Sequence, residues 1–317
     1  MNYRKLGRFN IKVSEVGVGG WLTHGRSIDD EVTSEIIKKS FDLGVNFFDT
    51  ADVYNNGAAE KSLGRAIKGF KREDLVIATK CYFPMSERPN DRGLGRKHIY
   101  ESVHASLKRL DIDYIDLMQF HRFDAETALD ETVRAIDDLV RAGKVLYWGV
   151  SEWKAQQITD LVHTAKELNA SPPASNQPIY NMITRGIEEA VLPTSEQFGI
   201  GNVVFSPLAQ GVLTGKYLPG VPAPEGTRGA DTSSNMFMSR FLTEDLLVRV
   251  QNLKEYVESL GHSLPEFALA WCLRQKAVSS VIIGATSPAQ VEANVRASGI
   301  QLDSLVWERA ERILEVL

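Results

Sequence analysis

The sequence predicts an α/β fold, a (β/α)8 barrel of the TIM type with an N-terminal β-hairpin and an extra C-terminal helix. Three observations lead there. Short, near-continuous apolar runs suited to buried parallel strands alternate with amphipathic helical stretches. The alternation repeats eight times in about 270 residues, which fills one closed barrel better than two doubly wound domains. Polar residues able to do chemistry follow several of the apolar runs, where a barrel of this kind carries its site.

In chain order, residues 3–6 and 12–13 flank a turn at 7–10 and read as a hairpin covering one end. Residues 16–18 form the first strand, and a helix from 30 to 43 follows with Val32, Ile36, Ile37 and Phe41 on one face. The second strand, 45–48, runs into the Asn55-Asn56-Gly57 turn and a helix at 59–67. Strands at 75–78, 115–120 and 145–150 precede helices at 97–110, 128–141 and 155–168. The sixth strand is short, 174–177 after Ser171-Pro172-Pro173, with a helix at 187–197. Residues 203–205 and 281–283 supply the seventh and eighth strands, with helices at 244–260 and 288–295, and a final helix spans 303–316. Two connections are long, 82–96 and 216–242, and long loops over a barrel mouth commonly cover ligands. The whole chain, 1–317, reads as a single domain.

Composition narrows the class. Over 317 residues, 43% are hydrophobic and 24% charged, the profile of an ordinary globular protein. A net charge of −5 favours solubility and argues against non-specific nucleic-acid binding. The opening residues MNYRKLGRFNIKVSEVG hold no apolar core of the length a secretory signal needs, and no run is long enough to span a bilayer, so a cytoplasmic location without membrane partners is expected. Cys81 and Cys272 are the sole cysteines, too few for a disulfide framework or a four-cysteine zinc site. Cys81 follows Lys80 and is read either as a small buried residue or, if exposed, as a redox-sensitive thiol.

Asp49 and Tyr54 follow the second strand, Lys80 the third and His121 the fourth, so the four should converge on one mouth. A lysine beside a tyrosine favours the phenolate and is expected to lower the tyrosine pKa; a carboxylate paired with that lysine holds it in place, and a histidine can bond the same substrate oxygen. Other patterns fail. Gly17-Val18-Gly19-Gly20 is only a fragment of a dinucleotide fingerprint. Gly211 to Lys216 lacks phosphate-loop spacing, with Tyr217 where Ser or Thr is needed, and no HExxH pattern is present.

The chain resembles the aldo-keto reductases, a (β/α)8 family that reduces carbonyls with NADPH. GVNFFDTADVYNNGAAEKSLGRAI resembles the family signature, VIATK its lysine strand and DYIDLMQFHRFD its histidine strand. The resemblance places the catalytic tetrad on Asp49, Tyr54, Lys80 and His121. QPIYNMITRGIEEAVLP and SPLAQGVLTGKY look most like the potassium-channel β-subunit-like branch and its bacterial relatives.

By the same resemblance, Ser151 and Gln177 hold the nicotinamide carboxamide, and Glu152 stands where many members have Asn. Phe205 supports the nicotinamide face, Ser206, Leu208, Gln210 and Gly211 match the pyrophosphate loop, and Pro207 is expected among the cofactor contacts. Lys216, Arg228, Thr286 and Gln290 match positions around the adenosine 2′-phosphate, and two cations there would favour NADPH over NADH; Gly284 is also expected against the cofactor. Asn294 matches an adenine contact, with Ala293 where an acid is common. Trp21 is expected beside both cofactor and substrate, and Tyr82 and Phe83 complete an aromatic wall around Tyr54 and His121. The implied function is NADPH-dependent reduction of an aldehyde or ketone with Tyr54 as general acid. The alternative is an NADPH-binding, redox-sensing regulatory subunit, against which His121 counts, since the channel subunits commonly lack a histidine there. Related proteins occur as monomers and as ring-like tetramers, so the resemblance leaves both open.

Overall fold

A computed structural model describes residues 1–231 and 238–315. The hairpin pairs β1 (Tyr3–Lys5) with β2 (Lys12–Ser14) in antiparallel register, Arg4 opposite Val13. The barrel strands are β3 (Val16–Gly19), β4 (Phe47–Asp49), β5 (Val76–Cys81), β6 (Ile115–Phe120), β7 (Val145–Ser151), β8 (Ser175–Gln177), β9 (Gly201–Phe205) and β10 (Val278–Ile283). All pair in parallel in chain order, and β10 closes the ring onto β3. This is the (β/α)8 barrel the sequence predicts.

Side chains alternate along a strand, and the alternation separates two cores. Outward residues Val18, Phe48, Ile77, Val204 and Val281 pack under the helices, as Met118, Phe120 and Val150 do elsewhere on the ring. Phe47, Val76, Ala78, Leu117, Val203 and Ile282 form a separate buried cluster with Leu6 and Val13 of the hairpin. The hairpin therefore plugs the end at which the strands begin. Two residues further along the same strands come Asp49, Lys80 and Gln119, so the period of two carries polar groups inward above an apolar floor. Gly149 lets β7 approach β8: a Cβ there would lie 2.1 Å from Ser175 Oγ and 2.4 Å from its backbone oxygen.

The outer helices are α1 (Asp30–Asp42), α2 (Ala58–Ala66), α3 (Arg96–Leu110), α4 (Leu129–Arg141), α5 (Ala155–Glu167), α6 (Val191–Phe198), α7 (Glu244–Ser259), α8 (Leu264–Leu273), α9 (Pro288–Val295) and α10 (Ser304–Leu314). Asp29 caps α1 by accepting from Val32 N. The expected helix at 187–197 starts instead at Val191, because Pro193 has no N–H to bond the carbonyl four residues back and is tolerated only in a first turn. Helix α8 was not among the expected elements. All of its residues but Pro265 and Glu266 are buried, so it shows no polar face and no 3.6-residue pattern. Its signal was the capping box, in which Ser263 Oγ accepts from Glu266 N and Glu266 Oε2 accepts from Ser263 N, with Pro265 in the first turn. Of the expected segments, 232–237 in the long loop and 316 in the last helix lie outside the described residues.

Candidate active site

Lys80 is fully buried beneath the mouth, with Nζ 2.6 Å from Asp49 Oδ1. It also donates to the Thr50 carbonyl at 2.8 Å and to Tyr54 Oη at 3.3 Å. Asp49 Oδ2 accepts from Gln177 Nε2 at 2.9 Å and from Gln119 Nε2 at 3.4 Å. Tyr54 reaches this group from the turn after β4. Asn55, Asn56 and Gly57 take left-handed φ values of 48°, 49° and 82°, which Asn and Gly tolerate, and so reverse the chain into α2. The His121 ring stands edge-on to Tyr54, centroids 5.7 Å apart. The four expected residues are thus brought together.

The electrostatics follow from burial and from this pairing. Burial opposes the Lys80 ammonium, but Asp49 and then Tyr54 outweigh it and push its pKa up. Tyr54 keeps part of its side chain exposed while its hydroxyl end is enclosed, and that desolvation raises its pKa against the pull of Lys80. The expected lowering is corrected here: the lysine acts downward, yet enclosure wins and holds the hydroxyl protonated. His121 is 7% exposed, and burial, then the charges of Lys80 and Arg122, drive its pKa well down, so the ring is neutral near pH 7. Cys81 is fully buried, and desolvation followed by Asp52 and Glu60 raises its thiol well above the usual value, which makes it inert.

Phe83 packs edge-on to His121 at 4.9 Å and to Tyr82 at 5.2 Å. The loop that carries both rings folds back on itself through Gly93 N to Tyr82 O and is pinned where Asp124 accepts from Leu94 N at 2.7 Å. Trp21 stands elsewhere on the mouth, 5.8 Å from the Arg228 guanidinium carbon.

Around the expected cofactor positions, Ser151 Oγ donates to the Gln177 carbonyl at 2.9 Å. After β9 the backbone turns through left-handed Ser206, Ala209, Gln210 and Gly211. Asn181 Nδ2 donates to the Ser206 carbonyl, and Gln210 Nε2 to Ser206 Oγ at 2.9 Å. Arg228 donates to Gln210 Oε1, and Lys216 lies close enough that a Cβ on Gly211 would meet its Nζ at 3.6 Å. Arg228 is half-buried with no carboxylate partner among the described residues, and desolvation lowers its pKa. A guanidinium in that condition suits an anion. Thr286 N donates to Gln290 Oε1 at 2.9 Å, Asn294 is buried, and Gly284 has open space where a side chain would be. Phe205, Pro207 and Leu208 line the same turn, Pro207 buried and the other two half-exposed.

The profile of the Aldo/keto reductase family matches residues 15–315. The chain belongs to the aldo/keto reductase family. It is 43% identical over 320 residues, 99% of this chain and 97% of the relative, to a probable voltage-gated potassium channel subunit beta of Arabidopsis thaliana. A protein of the same description in Oryza sativa subsp. japonica is 43% identical across 94% of this chain and 91% of its own length. A putative voltage-gated potassium channel subunit beta of Schizosaccharomyces pombe is 41% identical, covering 99% and 93%. Membership makes the chain an oxidoreductase by family, in the branch the sequence resembles.

In this aldo/keto reductase family member, the residue that departs from the common Asn is committed to structure. Glu152 adopts φ 59° and its Oε1 accepts from Ile179 N at 2.6 Å, so the carboxylate braces the chain leaving β8. Several residues at or behind the site escaped the sequence reading. Gln119 supplies a second amide to Asp49, and its position two residues before His121 on an inward face was the available signal. Glu60 is fully buried between Thr79 Oγ1 and Arg109 Nε, and Asp52 beside it has an Oδ2 with no hydrogen-bond partner among the described residues. Burial, then the Glu60 charge, push Asp52 up to about 8. Nothing in the spacing of Asp52 and Glu60 distinguishes them from surface carboxylates at a helix start.

Proposed function

We propose that the chain is an NADPH-dependent reductase of aldehydes or ketones in which Tyr54 protonates the developing alkoxide. The observation that carries this reading is the buried chain Asp49–Lys80–Tyr54, with a neutral His121 at its open end. NADPH, when bound, supplies the hydride. Tyr54 holds the proton at Oη, and the Lys80 ammonium 3.3 Å away stabilises the phenolate left behind. Asp49 keeps Lys80 in place, with Gln119 and Gln177 fixing the second carboxylate oxygen. His121, with neither ring nitrogen engaged by another described residue, is available to orient the carbonyl oxygen. Donors set in a low-dielectric pocket before reaction need no reorganisation as charge develops.

Ser151, Gln177, Phe205 and the turn from Ser206 to Gly211 are the proposed cofactor hold. Lys216 and Arg228, with Thr286 and Gln290, would take the 2′-phosphate, and the charge of Arg228, which has no carboxylate partner among the described residues, supports NADPH over NADH. Trp21, Tyr82 and Phe83 are the proposed substrate wall for a small-molecule carbonyl. No helix among the described residues is long and apolar enough to cross a membrane, and the proposed location is the cytoplasm.

The second reading, an NADPH-holding regulatory subunit, draws support from the names of the relatives, which match across nearly the whole chain. Following NADPH oxidation with a panel of aromatic and short aliphatic aldehydes separates the two. Turnover that collapses in Tyr54→Phe while NADPH binding, read by fluorescence, survives supports the reductase. Tight NADPH binding with no turnover on any carbonyl supports the regulatory reading instead.

A further inference from the structure

Among the described residues, six of the eight half-buried arginines have carboxylate partners. Arg4, Arg72, Arg109, Arg185, Arg249 and Arg274 each form an ion pair. Two half-buried arginines have none among the described residues, Arg228 and Arg122. Arg228 has an occupant in the proposed cofactor site; Arg122 does not. Arg122 follows His121 directly at the end of β6, and its Nη1 donates to the His121 carbonyl at 2.5 Å. Its guanidinium carbon lies 5.5 Å from the centre of the Phe83 ring, the ring that packs on His121. The remaining N–H groups meet no acceptor among the described residues. Its charge reaches the site: after burial and Lys80 it adds to the lowering of His121, and it pulls weakly downward on Tyr54, which burial raises on balance.

Partial desolvation of a cation is unfavourable unless an anion or a set of acceptors compensates it. The protein supplies one carbonyl and the face of one aromatic ring. The guanidinium is a planar fork matched to carboxylate or phosphate oxygens, set beside the aromatic wall where a carbonyl substrate would lie. We infer that Arg122 is a specificity determinant that selects carbonyl substrates bearing a carboxylate or phosphate group a few bonds from the reacting carbon. The inference rests on the reductase reading above and narrows its substrate class.

The test compares kcat/KM for matched pairs within each variant. Carboxylate arms set 4-carboxybenzaldehyde against 4-nitrobenzaldehyde and 4-oxobutanoate against butanal; a phosphate arm sets glycolaldehyde phosphate against glycolaldehyde. The wild-type enzyme is expected to prefer at least one class of anion, by a ratio that falls tenfold or more in Arg122→Gln, chiefly through KM, and is partly kept in Arg122→Lys. Raising ionic strength should lower the wild-type preference, an effect that needs no variant. Equilibrium titration adds a readout apart from turnover: 4-(hydroxymethyl)benzoate should bind the wild type more tightly than 4-methylbenzyl alcohol, and lose that advantage in Arg122→Gln. An anionic-over-neutral ratio that is the same in wild type and Arg122→Gln for every pair overturns the inference while leaving the reductase standing. Absence of turnover on neutral and anionic aldehydes alike overturns both.

Discussion

Removing the Lys80 ammonium should destabilise the fold more than any surface substitution, because it strands a carboxylate inside the barrel. Asp49 and Lys80 are 3% and 0% exposed, with Nζ and Oδ1 2.6 Å apart. At an effective dielectric of about 20, unit charges at that separation attract by about 6 kcal/mol. Desolvation of each ion offsets several kcal/mol of this, so the pair contributes little net stability while either ion alone is costly. Lys80→Met leaves Asp49 with only the two amide donors of Gln119 and Gln177, and Asp49→Asn leaves Lys80 with the Thr50 carbonyl and Tyr54. Each single change should lower the unfolding free energy by about 3–5 kcal/mol, and the double variant should cost less than the sum, with a coupling of about 2–3 kcal/mol. Equilibrium urea unfolding at pH 7, read by far-UV circular dichroism and fluorescence, measures all three. The coupling should persist when salt is raised, because a buried pair is screened far less than an exposed one. Additivity within about 0.5 kcal/mol would refute the argument that the two groups form one buried unit.

Other consequences follow from the same geometry. Asp52, pushed up to about 8 by burial and then by Glu60, keeps its proton in the folded state, whereas an unfolded Asp loses it near about pH 3.9. Its effect is therefore absent below about pH 4, and stability declines as pH rises from there to about 8. Asp52→Asn should remove on the order of 3 kcal/mol of the fall in unfolding free energy between pH 5 and 8, measured by urea titration at both values. Arg228→Met should weaken NADPH binding by roughly 10- to 100-fold, as expected for loss of a charge-assisted bond, and change NADH binding far less, as read by fluorescence titration. Gly149→Ala places a methyl 2.1 Å from Ser175 Oγ and should destabilise by about 1–3 kcal/mol or more in thermal and urea unfolding.

The barrel was legible because most of its strands are largely apolar and its helices are apolar on one face, and those two periods differ; β8, Ser175–Gln177, is polar throughout. The inward residues above the floor could be read in the same way, since Asp49 and Lys80 end or nearly end their strands and His121 follows one. Helix α8 was not, because burial on every side erases the period that identifies a helix, leaving only its capping box. The direction of the Tyr54 pKa depends on how far the fold encloses its hydroxyl, and sequence supplies the neighbouring lysine but not the enclosure. Glu152 reads as a departure from a cofactor contact, while its left-handed backbone and bond to Ile179 N emerge only in three dimensions. Arg122 looks like one of many charged residues until the absence of a carboxylate partner among the described residues, at half-burial, sets it apart.

The central claim, hydride delivery to a carbonyl with Tyr54 as the acid, is tested most directly by supplying NADPH deuterated at the reactive nicotinamide carbon and analysing the products by mass spectrometry. The native protein should yield an alcohol carrying one deuterium at the former carbonyl carbon, and Tyr54→Phe that still binds NADPH none above background. Stoichiometric binding of the labelled cofactor by the native protein with no deuterated alcohol from any aldehyde would contradict the claim.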